Sequence, residues 1–217
     1  MRLIFSKKKS MLAKEIAGEL LRIKAVKLSP QTPFTWASGI LSPIYCDNRI
    51  VLSHPSAREI VKNGFIKISQ TFDFEVVAGV ATAGIPHGVL LADAIGKPFV
   101  YVRDKAKGHG RQNLIEGEIQ AGQKVLVIED LISTGGSSIK AVHALKEVGC
   151  EVIGTLAIFS YLFQEASDLF QAENVPLATL SNYDALLEEA VSLQYINASD
   201  LETLRAWRSN PKVWQPQ

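Results

Sequence analysis

The sequence has few cysteines, almost no net charge and no long apolar run, and each shortage excludes a class of protein. Cys46 and Cys150 are its only cysteines, which excludes a disulfide framework and a cysteine-based zinc site. The formal net charge of +1 gives no broad electrostatic reason to bind nucleic acid or a membrane surface. No apolar stretch is long enough to span a bilayer. These features predict a cytoplasmic protein with two reduced thiols.

The rest of the chain predicts one α/β domain over residues 1–217. From about residue 54 onward, helices alternate with strands that are apolar throughout, which predicts a parallel sheet with helices on both faces. Ligands of such sheets sit at the carboxyl ends of the strands. We expect an N-terminal helix and a small hood lobe at about 28–50, a core at about 54–195 and a C-terminal helix at about 198–210.

Apolar periodicity, together with glycine and proline positions, predicts the individual elements. Met11 opens a first helix that continues over residues 12–26, and the residues before it are expected to be an extension. Short irregular strands are expected over 34–49. Further helices are predicted at 55–72, 85–95, 134–148, 164–172, 184–193 and 200–209, and strands at 76–81, 99–102, 124–128, 152–159 and 177–180.

The most informative segment is an apolar strand that leads into two acidic residues and a small, hydroxyl-rich turn. In order it reads Glu129, Asp130, Leu131, Ile132, Ser133, Thr134, Gly135, Gly136 and Ser137. A helix start presents free backbone N–H groups and the positive end of the helix dipole, which together hold a phosphate. Gly135 and Gly136 would let the backbone approach that phosphate closely. The acids could accept hydrogen bonds from ribose hydroxyls or hold magnesium through water.

Other interpretations of this segment explain less of it. No Gly-Lys-Ser/Thr triplet makes it a Walker motif, and the glycines follow the acids rather than opening the turn as in a dinucleotide fingerprint. A capped helix would account for Ser133 or Thr134, but not for paired carboxylates at the end of a buried strand. The pattern resembles the signature of type I phosphoribosyltransferases. That resemblance implies that all nine residues bind phosphoribosyl pyrophosphate (PRPP), that Glu129 and Asp130 are catalytic, and that Mg²⁺ is held through PRPP and water.

A long polar segment at residues 104–122 lies between two buried strands, and such loops tend to be functional. Its Lys-x-His-Gly sequence, with Lys107 and His109, resembles the catalytic loop of the orotate phosphoribosyltransferases. The resemblance implies that Lys107 and His109 are catalytic and that they and Arg103 contact the pyrophosphate, whose departing charge cations stabilise. It also implies a homodimer that shares the loop from Asp104 to Gly117 across subunits. A solvated basic loop is the alternative.

The spacing Phe-Thr-x-x-Ser-Gly-x-x-Ser-Pro, which begins at Phe34, resembles the hood that covers the pyrimidine in the same family. The resemblance implies that Ser38, Gly39 and Tyr45 contact orotate, together with Thr134 of the phosphate turn. The small residues at 81–86 lead from a strand into a helix start, which suits pyrophosphate held by backbone amides.

The chain departs from that family at three positions. Ala37 and Ala83 stand where many members carry lysine, and Tyr161 lies in the region where they carry arginine. These departures leave open which residue binds the orotate carboxylate. Arg49, beside the hood, is our hypothesis for that role.

The resemblance implies transfer of a phosphoribosyl group from PRPP to orotate, which gives orotidine 5′-monophosphate and pyrophosphate in pyrimidine nucleotide (UMP) biosynthesis. Two alternatives remain. An adenine phosphoribosyltransferase shares the Thr-Gly-Gly turn but lacks the Lys-x-His-Gly loop and the hood. A non-catalytic PRPP-sensing regulator would call for a DNA-binding region or a basic face, and neither is evident in the sequence.

Overall fold

A computed structural model describes residues 2–36, 39–105 and 114–216. A 3-10 helix spans Asn48–Ser53. In chain order the other elements are α1 (Arg2–Arg22), β1 (Val26–Leu28), β2 (Phe34–Thr35), β3 (Leu41–Ser42), β4 (Ile44–Cys46), α2 (Pro55–Ser69), β5 (Val76–Val80), α3 (Gly84–Ile95), β6 (Phe99–Val102), β7 (Ile115–Glu116), β8 (Lys124–Ile132), α4 (Gly136–Glu147), β9 (Glu151–Ser160), α5 (Gln164–Ala172), β10 (Leu177–Asn182), α6 (Tyr183–Ser192) and α7 (Asp200–Ser209).

A six-stranded sheet in the order β10-β9-β8-β5-β6-β7 forms the centre of the molecule. All of its pairs are parallel except β6 with β7, which is antiparallel. The prediction that residues 104–122 form one irregular loop is therefore wrong in part, because β7 lies inside that segment. A strand of two residues is too short to show the alternation that would have predicted it.

The strand β8 is buried on both faces because its side chains alternate between two hydrophobic clusters. Leu126 and Ile128 pack in the larger cluster, to which α1, α2, α3, α6 and α7 contribute. Val125 and Val127 pack in the smaller one, to which α4 and α5 contribute. Helices on both faces of a largely parallel sheet confirm the predicted α/β architecture.

The hood consists of two small antiparallel sheets, β1 with β4 and β2 with β3. The first helix was predicted to continue to residue 26, which is wrong. It ends at Arg22, Lys24 takes a positive φ of 60°, and Val26 begins β1 and pairs with Cys46. Val26 is fully buried, and an apolar residue at this spacing suits a helix and a strand equally. The helix also begins at Arg2 rather than at Met11.

Two boundaries next to the acidic pair also differ from the prediction. β8 continues to Ile132, so Glu129 and Asp130 lie within a paired strand rather than after it, and Glu129 stands opposite Ala157 of β9. α4 begins at Gly136 instead of at Thr134, because Gly135 adopts the left-handed conformation, with φ 83°. The elements β6, α5 and α7 have the predicted bounds. Over the described part of the chain, no helix combines the length and the apolar character needed to cross a bilayer.

Candidate active site

Glu129 is a carboxylate held in the interior. Only 5% of its surface is exposed. Its Oε1 accepts a hydrogen bond from the backbone N–H of Asp130 at 3.0 Å, and its Oε2 accepts from the hydroxyls of Ser137 at 3.4 Å and Ser138 at 3.3 Å. Burial raises the pKa of the Glu129 carboxyl, and the neighbouring charge of Asp130 raises it further. Two ionised carboxylates without a ligand are therefore unfavourable at these positions. Glu129 and Asp130 favour a ligand that bears hydroxyl groups or positive charge.

Asp130 connects the central sheet to the hood. Its backbone carbonyl accepts a 2.8 Å hydrogen bond from Nδ2 of Asn48, which is fully buried. The thiol of Cys46 in turn donates to Oδ1 of Asn48 at 3.4 Å. Burial raises the pKa of the Asp130 carboxyl and of the Cys46 thiol, and the charge of Asp130 raises that of the thiol further. Cys46 thus remains a protonated donor, and strand β4 is tied to the acidic pair.

The turn from β8 into α4 leaves open space at the helix start. Within the described part of the chain, a Cβ on Gly136 would find no atom within 4 Å, whereas a Cβ on Gly135 would lie 2.9 Å from Cε2 of Phe170. Glycine at 135 is thus required by the protein itself, through its positive φ and its contact with Phe170. Glycine at 136 is not required by internal packing, and its open surroundings suit an incoming phosphate at the N-terminus of α4.

The start of α3 packs against the carboxyl end of β8. Gly84 lies directly against the backbone carbonyl of Ile128, with no room for a Cβ. This approach brings the turn at residues 81–83, whose Ala81–Thr82 peptide is cis, beside the acidic pair. The pyrophosphate contact that the sequence predicts for this turn stays a prediction.

The hood residues of the predicted orotate site are only partly within the described residues. Tyr45 is 40% exposed on β4, and its ring tilts against Phe34 with 5.8 Å between centroids. Gly39 has a positive φ of 83°, and no atom of the residues that the structure describes lies within 4 Å of the position that a Cβ would take there. Ser38 and Ala37 lie outside the described residues, so their contribution stays a prediction.

The two arginines that the sequence singles out both form ion pairs. Arg49 donates two hydrogen bonds to the Asp47 carboxylate, from Nε to Oδ1 at 2.6 Å and from Nη2 to Oδ2 at 2.8 Å. These bonds hold the pKa of the Asp47 carboxyl below its usual value and neutralise much of the charge that our hypothesis assigned to a ligand carboxylate. Arg103 pairs with Glu116 of β7 at 3.3 Å, at the entrance to the loop. Lys107 and His109, predicted on that loop, lie outside the described residues.

An aromatic cluster joins the hood to the C-terminal helix. Trp207 of α7 is fully buried, and its indole N–H donates to the backbone carbonyl of Leu41 in the hood at 3.2 Å. Its ring meets Trp36 edge-on at 5.7 Å. Next to this cluster lies a cavity of about 440 Å³, bordered by Trp36, Ile40, Ser133, Thr134, Arg208 and Lys212. The hood, the phosphate turn and the C-terminal segment therefore enclose a common space.

The acidic pair fits a metal that arrives with its ligand. Across the described ranges, no group of three or more histidine, cysteine, aspartate or glutamate side chains could hold a metal ion alone. Magnesium in phosphate-transfer sites is bound through one or two carboxylates, several waters and the phosphates of the substrate. Glu129 and Asp130 are suited to that arrangement through water.

Comparison with known proteins identifies the family. Residues 48–177 match the model of the phosphoribosyl transferase domain. The orotate phosphoribosyltransferase of Cytophaga hutchinsonii is 53% identical over 204 residues, which cover 93% of this chain and 98% of that protein. The chain belongs to the orotate phosphoribosyltransferase family. The resemblance drawn from the sequence motifs is thereby confirmed.

Solved orotate phosphoribosyltransferases share the fold. The structure from Aeropyrum pernix superposes with a TM-score of 0.73 at 29% identity and covers 84% of this chain and 99% of that one. The Mycobacterium tuberculosis enzyme in complex with PRPP superposes with a TM-score of 0.64 at 28% identity and covers 81% of this chain and 98% of that one. These similarities confirm the predicted type I phosphoribosyltransferase fold.

Three residues that support the candidate site of this orotate phosphoribosyltransferase family member were not predicted from the sequence. Asn48 and Ser138 hold the acidic pair through hydrogen bonds, and Trp207 holds the hood. Ser138 directly follows the phosphate turn, which was a usable signal. The partners of Asn48 and Trp207 lie 82 and 166 positions away in the sequence, and no local pattern reveals contacts of that separation.

Substitution of Trp207 by phenylalanine is expected to lower the free energy of unfolding by about 1–2 kcal/mol. The change removes part of a buried ring and leaves the Leu41 carbonyl without its donor. Denaturant melts of the variant and of the wild type measure the difference. Trp214→Phe is the matched control, since Trp214 is only partly buried against the core. Equal losses in the two variants would contradict the role assigned to Trp207.

Proposed function

We propose that this protein transfers the phosphoribosyl group of PRPP to N1 of orotate, which yields orotidine 5′-monophosphate and pyrophosphate for UMP synthesis. The observation that carries the proposal is the pair of buried Glu129 and half-buried Asp130 beside the Gly136 turn, in a chain 53% identical to a protein named orotate phosphoribosyltransferase. The solved Mycobacterium tuberculosis relative with PRPP bound supports PRPP as the donor.

Each part of the proposed site acts on a different part of the donor. The backbone amides from Leu131 to Ser137, with the hydroxyls of Ser133 and Thr134, bind the 5′-phosphate at the start of α4. Glu129 and Asp130 accept the ribose hydroxyls and stabilise the positive charge that develops on the ring as pyrophosphate departs. Arg103, Lys107 and His109 stabilise the departing pyrophosphate.

The acceptor is proposed to bind between the hood and the ribose. Ser38, Gly39 and Tyr45 cover the ring from the hood, and Thr134 approaches it from the phosphate turn. Orotate already carries negative charge, so stabilising the cationic ribose matters more than a strong general base. Magnesium, when bound with PRPP, offsets the charge of the pyrophosphate.

The direct test follows the loss of orotate absorbance in the presence of PRPP and Mg²⁺. Turnover with orotate and none with adenine, hypoxanthine or uracil is the expected result. Turnover of a purine alone would replace the proposal with the adenine-type alternative. Binding of PRPP without turnover of any base would favour a regulator.

Chelation of magnesium is expected to slow orotate turnover about 10²- to 10³-fold and to leave the melting temperature of the ligand-free protein unchanged. The reason is that, among the described residues, no cluster of ligands binds a metal without substrate. Paired activity and thermal-melt measurements with and without EDTA test this, and restored activity on adding excess Mg²⁺ is the control. A lower melting temperature in EDTA would indicate a resident structural metal instead.

We also propose that residues 1–217 act as one domain in the cytoplasm, and that two copies form a homodimer sharing the loop from Asp104 to Gly117. Hybrid dimers test the sharing. Lys107→Ala and Asp130→Asn chains are each expected to be nearly inactive alone, whereas a 1:1 mixture refolded together should recover about a quarter of wild-type activity. Half of the dimers then contain one site with both residues intact. No recovery would mean that each loop serves its own subunit.

A further inference from the structure

Tyr161 lies at the edge of the sheet where the active site is built. It directly follows β9, and its backbone N–H donates to the carbonyl of Ile132, the last residue of β8, at 3.1 Å. The backbone of Tyr161 is thereby fixed beside the strand that carries Glu129 and Asp130. The mechanism proposed above gives this residue no role.

Packing leaves the Tyr161 ring no alternative position. The residue is 2% exposed and is surrounded by four aromatic rings at centroid distances of 5.3–5.7 Å, those of Trp36, Phe159, Phe163 and Trp207. Contacts of this number, from the hood, the sheet and α7, fix both ring torsions. The direction of the hydroxyl is therefore set by the fold.

The Tyr161 hydroxyl has no hydrogen-bond partner within the described part of the chain. The only fully enclosed side-chain polar atoms there that lack a partner are Nε2 of His87 and Oγ1 of Thr155, so the Tyr161 hydroxyl is not fully enclosed although the residue as a whole is buried. By contrast, the hydroxyl of the equally buried Tyr183 donates to the carbonyl of Leu204 at 3.0 Å. A buried hydroxyl without a partner is unfavourable, and a ligand that accepts its proton would remove that penalty.

The surroundings of this hydroxyl indicate what it faces. Burial raises the pKa of Tyr161 most, and the nearby side chains of Cys46, Tyr183, Asp130 and Tyr45 raise it further. Cys46 and Tyr45 belong to β4 of the hood, and Asp130 belongs to the acidic pair. Two of the rings around Tyr161, those of Trp36 and Phe163, border the cavity between the hood and the Ser133–Thr134 turn, so the residue lies beside the space proposed for the acceptor. Because burial raises the pKa of Tyr161, its hydroxyl stays protonated at neutral pH and is a hydrogen-bond donor.

We propose that the Tyr161 hydroxyl donates a hydrogen bond to a carboxylate or ring-carbonyl oxygen of the acceptor base, and that Tyr161 is therefore a specificity-determining residue of this site. The inference rests on the proposed function, since it assumes an acceptor held between the hood and the ribose. It requires an acceptor that presents an oxygen at this position and disfavours one that presents an N–H group there.

Substitution of Tyr161 by phenylalanine separates this role from a structural one. Removal of a hydrogen bond to an anionic or carbonyl oxygen is expected to raise KM for orotate about 10- to 100-fold, with KM for PRPP unchanged. The melting temperature should stay the same or rise, because the lost hydroxyl has no partner in the folded protein. Tyr183→Phe is the matched control, since it removes an internal bond and should lower the melting temperature with both KM values unchanged.

The outcomes distinguish this inference from the function on which it rests. A wild-type protein that fails to turn over orotate would overturn both. A wild type that is active, with Tyr161→Phe retaining the wild-type KM for orotate, would overturn the Tyr161 assignment alone. A Tyr161→Phe melting temperature well below the wild-type value would also overturn it, because it would show that the hydroxyl bonds within the protein.

Discussion

Asp130→Asn is expected to lower kcat/KM for PRPP about 10²- to 10³-fold without disturbing the fold. The amide keeps the shape of the carboxylate but loses the negative charge that favours a cationic ribose in the transition state. The contact that ties Asp130 to the hood uses its backbone carbonyl, which the substitution leaves in place. Steady-state kinetics at varied PRPP concentrations measure the effect.

The same variant is expected to be more stable than the wild type at neutral pH. Burial raises the pKa of Asp130 and of Glu129 in the folded protein above their ordinary values of 3.8 and 4.5. Between those ordinary values and the raised ones, the folded state binds more protons than the unfolded state, so stability falls as the pH rises through that window. Asparagine cannot ionise. Thermal melts at a series of pH values should show a flatter profile for the variant above about pH 4.

Asp93→Asn is the matched control for both measurements. Asp93 is exposed on α3, so its substitution should leave kcat/KM and the pH profile of stability as they are in the wild type. If Asp130→Asn retained more than about a tenth of wild-type kcat/KM, electrostatic stabilisation by this carboxylate would be refuted.

Gly136→Ala is expected to raise the Kd for PRPP about 10- to 100-fold while the protein stays as stable as the wild type. A Cβ at this position meets no atom of the described residues within 4 Å, so the described fold accommodates it, and alanine is favoured over glycine in a helix. The added methyl group occupies the space where a phosphate would approach the amides of α4. Titration of PRPP by calorimetry, alongside a denaturant melt, measures both quantities.

Gly135→Ala and Gly96→Ala are informative controls for that result. Gly135 combines a positive φ with a 2.9 Å approach to Phe170, so its alanine variant should lose about 1–3 kcal/mol of stability as well as PRPP affinity. Gly96 has a positive φ with open surroundings, so its variant should lose stability and keep the wild-type affinity. A Gly136→Ala protein that binds PRPP normally would show that the phosphate lies elsewhere.

The core of the fold could be predicted because its elements are long and strongly patterned. The apolar strands β5, β8 and β9 each show a run of buried residues that only a sheet covered on both faces accommodates. The short elements could not be predicted. β7 has two residues, and Val26 fits the spacing of the helix before it although its pairing with Cys46 places it in β1. Long-range pairing decides such cases, and local sequence does not encode it.

The candidate site was predictable wherever its chemistry is contiguous in the chain. The segment from Glu129 to Ser137 was predictable because two carboxylates and two glycines at a strand–helix junction are unfavourable unless they bind a ligand. The sequence could not show the contacts from distant segments. Asn48 donates a hydrogen bond to the Asp130 carbonyl, and Trp207 donates one to the Leu41 carbonyl of the hood. The sequence also could not show that Arg49 is paired with Asp47 in the folded protein, because residues two apart do not always meet.

The donor-binding half and the acceptor-binding half of the proposed site differ in how firmly the rest of the fold holds them. The donor half ends the central strand β8, between β5 and β9, so it persists as long as the molecule stays folded. The acceptor half belongs to a lobe of two-stranded pieces, anchored through side chains such as Asn48 and Trp207. Local opening of such a lobe requires less free energy than global unfolding. Substitutions in the hood can therefore change which nucleobase binds, while the residues that bind the sugar phosphate stay the same.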